Sequence, residues 1–469
     1  MRMLTRLEVN GFKNLFDVAV EFGPYTCIAG PNALGKSNLF DVIEFLSLAM
    51  DLPFMEAAQQ IRSAGSRMGD PRTLFWVDGA GGIPPRMELA AEMLVPETVE
   101  DDFGQEATAT STFLRYELTL EYVPPALGSP VQIGGIRLIH EDLNYITQSR
   151  ATVKLRWRHS ASKFRRKVVK NDRKGTGYIS TGVDGAFQVH QDGGSRGQPR
   201  RSAAAPRTVL STINTSDDPT ALAARREMQQ WRNLALEPSA MRAPDSVTGS
   251  SKIGPNGAHL AAALFRLAQQ GQDTEVYAEV AATASALSDV REMTVDFDAK
   301  RDLLTLEARI GSGPLLPSRV LSDGTMRFLA LSIIQADETF GGLICMEEPE
   351  NGIHPAKIEA MVTLLRNLAV DPEEEPGRDN PLRQVVVNTH SPRFIVFQDD
   401  NDVLLALPRS LVVNGRSIQT VHFSPMWGTW RSGNDGEGVS KGLIGDYLMA
   451  PEDAPMMLDW PGRKLVQGF

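Results

Sequence analysis

Residues Gly30-Pro31-Asn32-Ala33-Leu34-Gly35-Lys36-Ser37 place two glycines, a lysine and a hydroxyl at the spacing of a phosphate-cradling loop. In such a loop a glycine turn exposes successive backbone N–H groups to phosphate oxygens, and the helix that follows adds the positive end of its dipole. Lys36 would neutralise the β- and γ-phosphates of a nucleotide, Ser37 would offer its hydroxyl to Mg²⁺, and Asn38 would continue the helix start.

A second group of candidates lies far along the chain. Glu347 and Glu348 follow the apolar run Leu343–Met346, so they emerge at the C-terminal end of a buried strand, where open α/β sheets hold ligands. One carboxylate there can hold Mg²⁺ through water and the next can polarise an attacking water. Ser322 and Gly324, in Leu321-Ser322-Asp323-Gly324-Thr325, offer a helix cap and a close backbone approach, which reads either as a second anion site or as a plain capping turn. His390 ends the run Val385–Thr389 one strand beyond the acidic pair, a position that draws an otherwise ordinary histidine towards the same site.

These residues need particular elements to position them. Alternating segments over 3–29 predict strands with a turn at Asn10-Gly11, and the run Leu39–Leu52 predicts a helix directly after the glycine loop. Past residue 70, Arg86–Val95 and Phe113–Val123 predict an antiparallel sheet. Residues 219–290 read as helices without a heptad series long enough for a coiled-coil rod. The last third has continuous apolar runs at 343–346, 384–389 and 403–407, with a helix over 355–368, which predicts a parallel sheet covered on both faces. Three parts follow: 1–150 with the glycine loop and a β subdomain, 151–310 as an insertion, and 311–469 with the acidic pair and His390.

Composition narrows the function classes. The 469 residues are 42% hydrophobic and 23% charged, and no apolar run approaches the length of a membrane span. The N-terminus has no secretory pattern, and Cys27 and Cys345 sit inside apolar runs as packed thiols, so a cytoplasmic protein is expected. A net charge of −10 argues against a surface that binds nucleic acid everywhere. Residues 150–207 depart from that average with 15 Lys/Arg against 3 acids, densest at 163–170, and read either as a grip on DNA phosphates or as a solvated loop. Trp157, Phe164 and Tyr178 are the aromatics there that could stack on bases. The acidic run 371–375 reads as a solvated loop.

In their order these motifs resemble the ABC-type ATPase head of the SMC-like and OLD-like, AAA-annotated branch: 30–37 as Walker A, 321–325 as the signature loop, 343–348 as Walker B, Pro349–Pro355 after it, and Thr389–Pro392 as the His switch. The resemblance implies an α/β P-loop head that binds and hydrolyses ATP with Mg²⁺, and two heads stacked head to tail as a dimer or higher homo-oligomer. It implies Glu348 and His390 as catalytic groups, Ser37 and Glu347 on the metal side, and Ser322 and Gly324 acting on the partner copy's nucleotide. Glu347 stands where aspartate is more usual, and Ala33-Leu34 replaces smaller residues, implying a stiffer loop. The family's glutamine loop is not assigned among Gln59, Gln60 and Gln148. OLD-like relatives often carry a Toprim nuclease, for which the stretch after His390 has no room. A stand-alone ATPase subunit working with a separate effector, such as a Toprim-like nuclease in an anti-phage system, is therefore expected. A DNA-processing SMC-like ATPase is the alternative, and a transporter subunit fits least.

Overall fold

Five parallel strands and one antiparallel edge strand make the sheet on which the glycine loop sits. Their order is Arg232–Asn233, Gly342–Glu347, Arg383–Thr389, Tyr25–Ala29, Val403–Val413 and Arg416–Pro425. The computed structural model describes residues 3–62, 70–76, 86–125, 134–193, 200–201, 205–270, 273–285, 288–413, 416–432, 438–440, 442 and 444.

Why these strands are apolar throughout follows from the two cores they separate. Along Gly342–Glu347, Leu343 and Cys345 pack into one core while Ile344 and Met346 pack into the other. Val386 and its neighbours Val385 and Val387 divide in the same way. A strand alternates faces at each residue, so a sheet covered on both sides must be apolar at every position. The first core is filled by the helix Lys36–Leu48 and an eight-stranded antiparallel sheet, the second by the helices Leu260–Gln270, Asp323–Ala336 and Ile358–Leu368. Cys27 and Cys345 are buried free thiols, as expected from their apolar surroundings.

The eight-stranded sheet contains Met3–Asn10, Val18–Glu21, Arg86–Leu94, Phe113–Val123 and Gly135–Tyr145, extended by three short strands between 179 and 201. A smaller sheet is built from Asp245–Ser246, Val290–Asp298, Leu303–Ile310 and Leu315–Pro317. Residues 151–310 thus supply strands to all three of these sheets. The fold class is α/β, with a largely parallel central sheet and an antiparallel β subdomain.

The basic stretch is not a free loop where it is described. Its segment 161–168 forms a short helical turn whose Phe164 and Val168 pack with Val370, and Ser160 N donates to Pro372 O at 2.9 Å. Arg158, Lys163 and Lys167 pair with Glu373, Glu374 and Glu375 at 2.9, 2.8 and 2.8 Å, so the acidic run faces bases and not only solvent. Trp157, Phe164 and Tyr178 are buried and cannot present faces to bases. Residues 194–199 and 202–204 of this stretch lie outside the described residues.

Two buried side chains tie distant segments together. Gln384, fully enclosed, accepts from Leu4 N at 2.8 Å and donates to Leu4 O at 2.7 Å and Gly23 O at 2.8 Å, stitching the parallel sheet to the antiparallel one. Glu141, also enclosed, accepts from Val209 N at 2.6 Å, Leu210 N at 2.8 Å and Tyr116 Oη at 3.1 Å. Burial raises the Glu141 carboxyl to about 7, against the opposing pull of those donors.

Gln384→Leu should lower stability by about 2–4 kcal/mol, because a buried N–H and two carbonyls lose their partner, and urea unfolding measures this. For Glu141 the folded state holds a proton more tightly than the unfolded state, from pH 4.5 up to about 7. Its contribution is therefore complete below pH 4.5 and declines as pH rises through 7. Melting temperature followed over pH 4.5–8 should lose part of its downward slope in Glu141→Gln.

Candidate functional site

Positive backbone angles shape the glycine loop. Gly30 has φ +153°, and a Cβ there would lie 3.0 Å from Ala406 Cβ; Gly35 has φ +101°, and a Cβ there would lie 2.4 Å from Asn14 Oδ1. Both positions therefore require glycine for space as well as conformation. Ala33 sits at φ 64°, so this non-glycine residue adds left-handed strain of about 1–2 kcal/mol to the loop.

The helix Lys36–Leu48 starts without a side-chain cap, which leaves its first N–H groups directed at the loop. Lys36 Nζ donates to Gly30 O and Pro31 O, both at 2.6 Å, holding the ammonium at the mouth of the loop. Burial lowers the Lys36 pKa, and the nearby Glu348, Glu347 and Glu350 oppose that shift. These acids offset part of the desolvation of the cation.

Backbone pairing brings the distant motifs to the same edge. Glu347 pairs with Asn388 and Thr389 with Ala29 in adjacent parallel strands. Past the strand ends, Glu348 N donates to Asn388 O at 3.0 Å and Gly30 N to Thr389 O at 3.2 Å. Glu348 takes φ 45°, a strained value for a non-glycine residue of the kind that clusters at functional sites. Its Oε1 lies 2.6 Å from His390 Nδ1, and its Oε2 accepts from Asn351 Nδ2 at 2.6 Å. Asn32, Lys36, Ser37, Glu348, Asn388 and Arg62 line one pocket.

Several of these groups were not found from sequence. Asn14 donates to Leu34 O at 3.0 Å and accepts from Asn38 Nδ2 at 2.7 Å, clamping the loop to its helix. Asp41 is buried and pairs with Lys13 at 2.6 Å and Arg62 at 2.8 Å, which holds two cations beside the pocket. Asp41 stands one helical turn after Ser37, an acid within an apolar run, and that was a readable signal. Arg62 had none. Glu350 is buried and accepts from Thr389 Oγ1; burial raises its pKa, and its Oε2 has no hydrogen-bond partner.

Ser322 and Gly324 are not among the residues lining the pocket. Ser322 is the N-cap of the helix Asp323–Ala336, accepting from Thr325 N at 3.2 Å. A Cβ on Gly324 would lie 3.3 Å from Gly352 O, so the signature segment rests against the turn that follows Glu347-Glu348. Arg242 braces it by donating to Leu321 O at 2.7 Å and Asp323 Oδ1 at 2.5 Å.

The residues present fit a nucleotide phosphate with a hard divalent cation. Oxygen donors from Ser37, Glu347 and Glu348 suit Mg²⁺. Asn388 Nδ2 is a buried donor with no hydrogen-bond partner, on the wall of the same pocket, where an anionic or water oxygen would satisfy it.

Residues 225–396 match a family model described as AAA domain, putative AbiEii toxin, Type IV TA system. That segment contains Ser322, Gly324, Glu347, Glu348 and His390, and the glycine loop lies outside it. No curated protein matches the chain. Similar solved structures include an Smc head bound to the C-winged helix domain of ScpA, with 14% identity, 89% of this chain and 97% of that chain covered, and a TM-score of 0.43. A Pyrococcus furiosus Smc head bound to the C-terminal domain of ScpA has 12% identity, 90% and 96% coverage, and a TM-score of 0.42. The SMC head domain from Thermotoga maritima has 13% identity, 90% and 98% coverage, and a TM-score of 0.35. Among the described residues no helix is long and apolar enough to cross a membrane.

Gly35→Ala should weaken binding of a fluorescent adenine nucleotide by about tenfold or more, because the new methyl displaces Asn14 and with it the loop. Equilibrium titration at constant Mg²⁺ checks this, with thermal melting to verify that the fold is retained.

Proposed function

We propose that the chain is a Mg²⁺-dependent ATPase whose nucleotide links two copies of itself. The observation that carries the reading is the placement of Glu348 on the wall of the pocket that also holds Lys36 and Ser37, with His390 Nδ1 2.6 Å from its carboxylate. The glycine loop and, more than 300 residues further along the chain, Glu348 and His390 supply one phosphate cradle, one carboxylate base and one imidazole.

When bound, Mg²⁺ supplies charge neutralisation at the β- and γ-phosphate oxygens, with Ser37 and Glu347 as its protein side. Lys36 neutralises the same phosphates. Glu348 accepts the proton of the attacking water, its carboxylate aimed by Asn351 and His390. Ser322 is exposed at the molecular surface and Val320 beside it is 58% exposed, so the signature segment is available to a second copy. In that arrangement Ser322 and Gly324 would cap the γ-phosphate held by the other chain, and hydrolysis would release the pair.

A nucleotide-gated scaffold suits a separate effector protein, such as the Toprim-like nuclease of a two-component anti-phage system. The sequence resemblance to OLD-like ATPases supports this, and the family description naming a putative toxin of a type IV system is compatible with a defence setting. The DNA-gripping alternative has less support. Arg158, Lys163 and Lys167 pair with Glu373, Glu374 and Glu375, and the aromatics of the stretch are buried.

Glu348→Gln should reduce ATP turnover by about 10²-fold or more while keeping nucleotide binding. The same variant should accumulate as dimers in ATP and Mg²⁺ when followed by light scattering behind gel filtration. Undiminished turnover would remove Glu348 from catalysis, and unchanged assembly would remove the nucleotide-linked pair.

A further inference from the structure

The outer face of the antiparallel sheet carries a cluster that the nucleotide site does not use. Glu117 on the strand Phe113–Val123 stands directly opposite Asp142 on Gly135–Tyr145, and His140 lies two residues before Asp142. His140 stands opposite Thr119 in the same register, just before the shift between Thr119 and Leu120. All three side chains are half-buried on one face, and one ligand atom from each lies within 4.8 Å of the others. We propose that Glu117, His140 and Asp142 form a second cation site, for a divalent first-row transition metal of the zinc class.

Three observations lead there. Opposed carboxylates in a cross-strand pair repel, and such a pair calls for a cation between them. The nearest guanidinium is already divided: Arg115 contacts Glu117 at 2.9 Å, Glu8 at 2.6 Å and Glu92 at 3.2 Å. The existing hydrogen bonds orient the carboxylates and leave lone pairs of each available, a second one on Asp142 Oδ1 included. Arg115 Nε donates to Glu117 Oε1 at 2.9 Å and Thr181 N to Asp142 Oδ1 at 2.8 Å, the outer-shell role that aims metal ligands.

Ligand chemistry selects the metal class. One imidazole with two carboxylates suits Zn²⁺ and its first-row neighbours, whereas Mg²⁺ prefers oxygen alone. His140 Nε2 lies 3.6 Å from Asp142 Oδ1, close to the roughly 3.4 Å that separates two donors about 2.1 Å from a tetrahedral ion. Three protein donors on an outward face leave a fourth position for water or a donor from another molecule.

Zinc titration of the full chain against a chromophoric chelator tests the site. The background is His390→Ala, because Glu347, Glu348 and His390 could also hold zinc. That variant should bind one Zn²⁺ per chain and melt at a higher temperature in its presence. Adding His140→Ala should weaken zinc affinity by about tenfold or more and abolish the thermal shift. It should leave the metal-free melting temperature in place, since His140 is 39% exposed. Equal zinc affinity in the two variants, or no zinc bound by His390→Ala at millimolar metal, would overturn the proposal.

Discussion

Three parallel strands end at one level, and the whole candidate site depends on that alignment. Register pairs Glu347 with Asn388 and Thr389 with Ala29, and the ladder continues through Glu348 N to Asn388 O and Gly30 N to Thr389 O. A parallel ladder spaces its hydrogen bonds evenly, so neighbouring strand ends stay level to within a residue. The phosphate loop, the acidic pair and His390 leave the sheet from that line. A one-residue slip in the strand Arg383–Thr389 would turn Val385–Val387 to the wrong cores, so apolar packing enforces the register that the site needs.

The same strand also joins the larger bodies of the molecule. Arg383 and Gln384 are adjacent and therefore point to opposite faces. Arg383 is almost wholly buried and donates to the carbonyls of Gln335, Asp337 and Phe340, closing the C-terminal end of the helix that begins at the signature segment. Burial lowers its pKa to about 10, with the nearby acids Asp337 and Glu338 opposing. Gln384 reaches the other way to Leu4 in the antiparallel sheet and to Gly23 just after the strand Val18–Glu21. The strand that presents His390 is thus linked at its start to both the helix Asp323–Ala336 and the β subdomain.

Charge is arranged locally despite the net value. Asp41 gathers Lys13 and Arg62 beside the phosphate loop, while the acids behind Lys36 sustain its charge. The bases at 158, 163 and 167 meet 373–375 through exposed pairs, each worth little alone. Burial of Phe164 and Val168 against Val370 contributes more to seating that segment.

The motifs were legible because each is local chemistry: a glycine turn before a helix, an acidic pair after an apolar strand, a capping serine. Continuous apolar runs likewise announced a parallel sheet with two covered faces, since alternation alone would leave one face wet. Asn14, Arg62 and Asn388 were not legible, because their roles depend on side chains converging across chain separations that no spacing encodes. The setting of the basic stretch was not legible for the same reason: composition counts charges, whereas the fold decides which acids face them, and here Arg158, Lys163 and Lys167 meet Glu373, Glu374 and Glu375. By itself the sequence determined which groups could handle a phosphate and its cation. Only the tertiary structure decided that Glu348 and His390 stand 2.6 Å apart, through strand register and a strained backbone at Glu348 that packing must hold.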